Sequence, residues 1–461
     1  MQTDTTSPNG LTIVRLFVLA AGVHAMMLLY DNFHPDVFLH ADRAVTRWKD
    51  ISGLLSAFNV GESWRFLATH GVLGDYAFHA AFVYVGGRSF TQLLQVLLIL
   101  IGSLAVYRLG RLCALDERSA VIGAAVFLLF PHTIVLPHQL TTEGLFTPLL
   151  ILATWAIAEG VRPSHKSLHL LRLGGFMLGI ATLVRPITLL WPLIVTYYLL
   201  RDGKAPRAMH FVASAYLPIV VWSLFIFFST NDWGLGESNH SLSRNLYMRA
   251  EKVVMTMPQI SADRARAKYL VQGEKGSLAP LKYFQFAMEN PLPLMRQFSR
   301  DSAVFFSKSG IERVAIDYFN APVAAKDRLQ NYDTGWRRRW DRDGAISALK
   351  YLWTTTGPAL LLMSIAGAVA MLTVSGLAFI GAGNFLTSTN TLTESSRLAR
   401  MMICCLPVYT LLFSQVVPAV SSRHRAPSEF AFAILSVVGW LTLRQFIGTR
   451  RLLRLSAWPD R

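Results

Sequence analysis

The chain has little of three things, and each shortage excludes something. Cysteine is scarcest: three among 461 residues, Cys113, Cys404 and Cys405, two of them inside an apolar run. Three thiols cannot build a disulfide framework or a cysteine-rich metal site, and a cysteine in an apolar run behaves as a small hydrophobe. Redox chemistry is not indicated. Charge is also sparse, at 16% of residues, and it leans one way: 44 Lys and Arg against 28 Asp and Glu, a formal net charge of +16. Internal repeats of fixed period and low-complexity linkers are absent. A secondary transporter built from inverted repeats should show two similar halves, whereas the long polar segments here fall at unrelated positions.

What the chain has in quantity is apolar sequence, 52% of its residues. Stretches of about 18 or more apolar residues are long enough to cross the hydrocarbon core as helices. Hydropathy places spans near 11–30, 91–110, 119–136, 144–161, 172–185, 187–201, 211–229, 352–380, 401–418 and 430–447. The expected class is an all-α polytopic membrane protein. Met1 to Gly10 is polar and lacks the basic start of a signal peptide, so Leu11 to Tyr30 is expected to stay as the first span.

Basic residues then fix an expected orientation. With a cytoplasmic N-terminus, the inner loops collect Arg108, Arg111 and Arg118; Arg162, Lys166 and Arg172; Arg201, Lys204 and Arg207; Arg397 and Arg400; and Arg444, Arg450, Arg451 and Arg454. That is the positive-inside pattern, and it accounts for the net charge through topology and lipid contact rather than nucleic acid. Three segments face outward: 31–90, Pro131 to Thr142, and about 230–351. The expected organisation is a transmembrane module over 1–229 with a first outer loop at 31–90, a helical extracytoplasmic domain over 230–351, and C-terminal spans with a basic cytoplasmic tail over 352–461.

Against this background a few polar clusters stand out. The stretch Phe33 to Trp48, directly after the first span, crowds His34, Asp36, His40, Asp42, Arg43 and Arg47 against the membrane surface. Charge at that depth is costly and usually has a use. A carboxylate there can act as a general base toward a hydroxyl or amine, while the same residues would also serve as caps or as partners of the arginines. Asp75 follows in the same loop. The second outward segment carries His132, His138 and, where the next span begins, Glu143. An acid in a first helical turn is favoured by the macrodipole; a second carboxylate facing the first loop would share a cation or hold an acceptor.

Three arginines complete the set. Arg185, in Leu183-Val184-Arg185-Pro186, lies between two apolar runs with hardly a loop, so it must snorkel, pair, or bind an anion. Arg423 and Arg425 lie outward, against the positive-inside trend. Two residues apart in an extended segment, they would point the same way and clamp one phosphate or pyrophosphate. Trp48, Trp64, Trp222, Trp233 and Trp353 fall near expected interfaces, where an aromatic belt needs no ligand.

Four blocks taken together resemble the GT-C class of polytopic glycosyltransferases, in particular bacterial relatives of the dolichyl-phosphate-mannose protein mannosyltransferases and of the aminoarabinose transferases. The blocks are Phe38-Leu39-His40-Ala41-Asp42-Arg43-Ala44; Thr91 to Gln95 through Val106 to Arg111, then Phe130-Pro131; Thr141-Thr142-Glu143 with Ala181 to Pro186; and Ser422-Arg423-His424-Arg425-Ala426-Pro427. They cover about residues 1–230 and 420–447. Arg43 follows Asp42 where many relatives have a paired Asp-Glu, so if a second carboxylate is needed it has to come from Asp36, Asp75 or Glu143.

The resemblance implies a GT-C-like bundle of about 10–13 transmembrane helices with juxtamembrane helices in the first outer loop. It implies residence in a bacterial cytoplasmic membrane, both termini cytoplasmic and the active site extracytoplasmic. The implied reaction is an inverting transfer of a sugar from a polyprenyl-phosphate donor to a glycan, lipid or protein acceptor. Asp42 would be the catalytic base. Arg185, Arg423 and Arg425 would bind the donor phosphate, and Glu143, Asp75, Asp36, His40 and His138 would support the acceptor or a metal. Some members of the class use a divalent cation, Mg or Mn, here between Asp42 and Glu143, and others use none. Two rival readings share the topology. A flippase or transporter of lipid-linked sugars should carry ionisable residues near span centres, where this sequence has almost none. A non-catalytic envelope-assembly subunit would have no need of Asp42 or the outward arginines.

Overall fold

The computed structural model describes residues 11–33, 51–57, 73–162, 165–231, 238–270, 278–311, 346–347, 350, 358–387, 393–415 and 424–456, and every regular element among them is helical. Seven of these helices are long and apolar enough to cross a membrane, or eight if one bent pair is counted as a single span. A chain that must hide all its backbone polar groups in lipid has the helix as its local solution. The protein is thus an all-α polytopic membrane protein. Apolar residues such as Val18, Val221, Phe228 and Leu372 remain exposed on these helices, as lipid-facing positions do.

The first half contains α1 (Leu11–Phe33), α2 (Leu73–Leu112), α3 (Glu117–Leu129), α4 (Pro131–Val135), α5 (Thr142–Gly160), α6 (His165–Val184), α7 (Trp191–Arg201) and α8 (Ala205–Thr230). Three details depart from the hydropathy reading. Helix α2 starts at Leu73 instead of near 91, continuing through Gly86-Gly87 as two helical pieces joined at Gly87, whose φ of 73° favours glycine. The apolar run 119–136 is not straight: Pro131 pushes Phe130 into an extended conformation, and the chain bends by 65° there. The run 187–201 becomes a short 3-10 turn, Pro186–Thr188, followed by only 11 residues of α7.

The second half contains α9 (Ser238–Val254), α10 (Gln259–Ala265), α11 (Pro280–Glu289) and α12 (Pro291–Ser307), then α13 (Pro358–Thr387), α14 (Glu394–Ser414) and α15 (Glu429–Ser456). Helices α9 to α11 share a small apolar core around Val253, Tyr269 and Phe286. Helix α12 reaches the main core, where Phe305 and Phe306 pack against Phe432. Buried Arg249 pairs with Asp301 and donates to Gln415 Oε1 at 2.9 Å, tying this segment to the end of α14.

Helix α5 lies at the centre of the main core and is buried over most of its length. Lipid gives helices no hydrophobic reason to associate, so small residues that let backbones approach do much of the work. On α6 a methyl at Gly179 would overlap the Ala215 carbonyl of α8; on α13 and α15, Gly381 and Gly439 face each other so closely that a methyl on either would overlap the other helix's backbone.

The bundle has two distinct ends. At one, Lys204 pairs with Glu394 at 2.6 Å and Arg400 donates to the Cys113 carbonyl at 3.1 Å. At the other lie the polar groups described next.

Candidate functional site

Arg185 follows α6 because Pro186 forbids helical continuation and holds it extended, at φ −152° and ψ 111°. Its Nη1 donates to Glu143 Oε1 at 2.8 Å. Glu143 is fully buried in the first turn of α5, and its Oε2 accepts from Thr142 Oγ1 at 2.9 Å. The Arg185 side chain is only 16% exposed, so a cation there without a partner would be costly, and Glu143 supplies one.

A second buried chain lies beside it. His138 Nδ1 is 3.1 Å from Asp31 Oδ2, and His138 Nε2 is 3.0 Å from His24 Nδ1. With a neutral His138 donating to Asp31, the other ring nitrogen accepts from His24. Gln92 Nε2 donates to the His138 carbonyl at 2.6 Å, and one turn on, Gln95 Nε2 donates to His79 Nε2 at 2.6 Å. Gln95 also lies against Gly144, the neighbour of Glu143, so the two clusters form one polar layer across α1, α2 and α5.

A third group closes this layer. His132 Nδ1 is 2.8 Å from Glu429 Oε1, which also accepts from Arg425 at 3.4 Å. Arg425 is fully buried and donates to the carbonyls of Phe305 and Lys308, the latter at 2.8 Å. Both terminal nitrogens of its guanidinium donate to protein acceptors, and residue 425 has αR geometry instead of the extended form that would align it with Arg423. Arg425 thus ties α12 to α15, while Arg423, the other half of the expected phosphate clamp, lies outside the described residues.

The sequence-derived candidates thus divide. Glu143, Arg185 and His138 meet in one buried layer. Asp42, Asp36, His40, His34 and Arg423 lie outside the described residues; Asp75 falls in the first turn of α2, with its side chain likewise outside them. Sequence reasoning missed His24, Asp31, His79, Gln92 and Gln95. A signal existed in α1: His24 and Asp31 are seven residues apart, so they share one helix face within a largely apolar span, where an ionisable residue is a functional hypothesis by default. Both oxygens of Glu143 are engaged, and among the described residues no group of three or more His, Cys, Asp or Glu gathers as a metal site. By themselves these residues do not fit a divalent cation.

Residues 70–233 match the model of the family described as dolichyl-phosphate-mannose-protein mannosyltransferase. The matched segment carries Glu143, Arg185, His138 and both glutamines, and it bears out the GT-C resemblance. No curated protein matches the chain. Among solved structures, the archaeal oligosaccharyltransferase AglB from Archaeoglobus fulgidus, in complex with an inhibitory peptide and a dolichol-phosphate, is similar at 11% identity with a TM-score of 0.39. That likeness covers 85% of this chain and 44% of AglB, so the chain spans less than half the length of that relative.

Proposed function

We propose that this chain is a glycosyltransferase that moves a sugar from a polyprenyl-phosphate donor to an acceptor hydroxyl or amine at the extracytoplasmic face. The observation that carries the reading is the largely buried Glu143–Arg185 pair, which lies inside the family-matched segment 70–233 and in the same polar layer as Asp31, the acid at the end of α1 that precedes Asp42 in the chain. A guanidinium fork has five donors and Glu143 Oε1 takes one, leaving others for the oxygens of a phosphate entering from the membrane side.

In this reading Asp42 takes the acceptor's proton as the acceptor attacks the anomeric carbon. The bond from that carbon to the phosphate oxygen breaks on the opposite face, and polyprenyl phosphate leaves with the electron pair, giving inversion. Arg185, joined by Arg423, stabilises the charge that grows on the leaving phosphate. A hydrophobic polyprenyl chain explains why the site sits in a helical bundle at all. Residues 1–229 and 352–461 then supply the membrane module and 230–351 the extracytoplasmic segment that chooses the acceptor.

The test is transfer from a labelled polyprenyl-phosphate sugar in membranes carrying Asp42→Asn. Loss of a general base lowers the rate by roughly 10² to 10⁴-fold, and undiminished transfer would sink the assignment. A carrier of lipid-linked sugars is the second reading, favoured by one observation: the buried His24–His138–Asp31 chain places ionisable groups within a span. It predicts donor translocation in proteoliposomes that contain no acceptor.

A further inference from the structure

At the opposite end of α2 and α5 from the polar layer, the two helices diverge around a cavity of about 570 Å³. Arg108 and Arg111 line it from α2, Arg162 from the residues after α5, and Leu104, Leu152 and Trp155 form its apolar wall. Ile101 and Leu104 at its edge are exposed on the lipid-facing side of α2. The charge is not balanced. Glu159 is paired with Arg162 at 2.7 Å, which leaves Arg108 and Arg111 with no acidic partner among the described residues. They stand three residues apart on one helix face, so both guanidiniums present to the same space. Arg108 lies over the Tyr107 ring at 5.9 Å, and Arg111 donates one bond to the Leu115 carbonyl at 3.0 Å; most of their donors are left for something else.

Positive-inside topology asks only for basic residues at this end, a role that Arg118 and Arg444, exposed like Arg108 and Arg111, fill without lining this cavity. A cavity with two unbalanced guanidiniums at its polar mouth and an indole and leucines along a wall open to lipid has the complement of one class of molecule. We propose that this cavity holds an anionic phospholipid of the inner leaflet, its phosphate between Arg108 and Arg111 and an acyl chain along Leu104, Leu152 and Trp155. The site lies about 13 residues, roughly 20 Å, down α2 from Gln95 and is separate from the proposed donor site. It stands whether or not the glycosyltransferase reading does.

The test uses the full chain in detergent micelles, titrated with phosphatidylglycerol or phosphatidylcholine and read by native mass spectrometry. Phosphatidylglycerol should be retained preferentially, and Arg108→Gln/Arg111→Gln should cut that preference roughly tenfold or more. Arg118→Gln/Arg444→Gln removes the same charge from the same end and should leave it unchanged; Arg108→Lys/Arg111→Lys, which keeps the charge and guards against misfolding, should retain most of it. Equal retention of the two lipids overturns the proposal, and so does an equal loss in the Arg118/Arg444 control. Displacement of the lipid by millimolar inorganic phosphate would assign the cavity to a free anion and likewise overturn it.

Discussion

Glu143 and Arg185 illustrate how much a single ion pair depends on its surroundings. Glu143 is fully buried and the Arg185 side chain is 16% exposed, so removing one partner strands the other's charge at low dielectric. Glu143→Gln and Arg185→Gln are each expected to destabilise the protein by roughly 3–5 kcal/mol. The double variant should lose less than the sum of the two, and thermal unfolding in detergent by a dye or light-scattering readout would measure all three. Strict additivity would mean that the pair does not couple. His138 offers a different test at the same scale. It contacts Asp31 at the end of α1, shortly before Asp42 in the chain, and in the proposed reaction it positions without touching substrate. His138→Ala should lower transfer by up to roughly 100-fold through misplacement of that loop, and less than Asp42→Asn does. A variant with full activity would remove His138 from the site.

Among elements, the helices that proved most legible were those whose sequence gives one signal. The run 144–161 appears as α5 from Thr142 to Gly160, and 211–229 lies within α8 from Ala205 to Thr230. What hydropathy could not show was shape inside an apolar run. Phe130-Pro131 bends 119–136 by 65°, and the signal was the residue before a proline, not any change in polarity. The start of α2 was hidden for the opposite reason: Asp75, His79, Arg88 and the Gly86-Gly87 pair read as loop, whereas His79 turns inward to Gln95. The Arg425 outcome has the same origin, since the sequence shows a misplaced arginine but not the Phe305 and Lys308 carbonyls, 120 and 117 residues away, that claim it. Helix crossings were invisible too, because a glycine in a span gives no sign of its partner. Gly381→Val or Gly439→Val is expected to wedge α13 from α15 and cost at least about 1–3 kcal/mol. Gly376→Val, on the same helix with open space around it, should be far milder. Equal effects on the size-exclusion profile and melting temperature would refute the crossing.

For the whole molecule, the arrangement of ends argues for one orientation. Arg111, Arg162, Lys204 and Arg400 gather where α2, α5, α7 and α14 have one set of termini, with Lys204 on Glu394 and Arg400 on the Cys113 carbonyl. The buried layer of Glu143, Arg185, His138 and Glu429 occupies the other set, together with the segment from Ser238 to Ser307. Short loops rich in Arg and Lys are retained in the cytoplasm, and the proposed transfer accordingly has the polar layer face outward. Gln285 on α11 is exposed and belongs to the segment on the polar layer's side; Arg444 on α15 is exposed and belongs to the basic end. In intact cells a membrane-impermeant maleimide should label Gln285→Cys and spare Arg444→Cys until the membrane is opened. The unsubstituted chain serves as the blank, since Cys113 is buried and Cys404 and Cys405 are half-buried. Labelling of Arg444→Cys alone in intact cells would invert the topology. A donor phosphate in the outer leaflet could not then reach Arg185, and the proposed transfer would have to take place in the cytoplasmic leaflet.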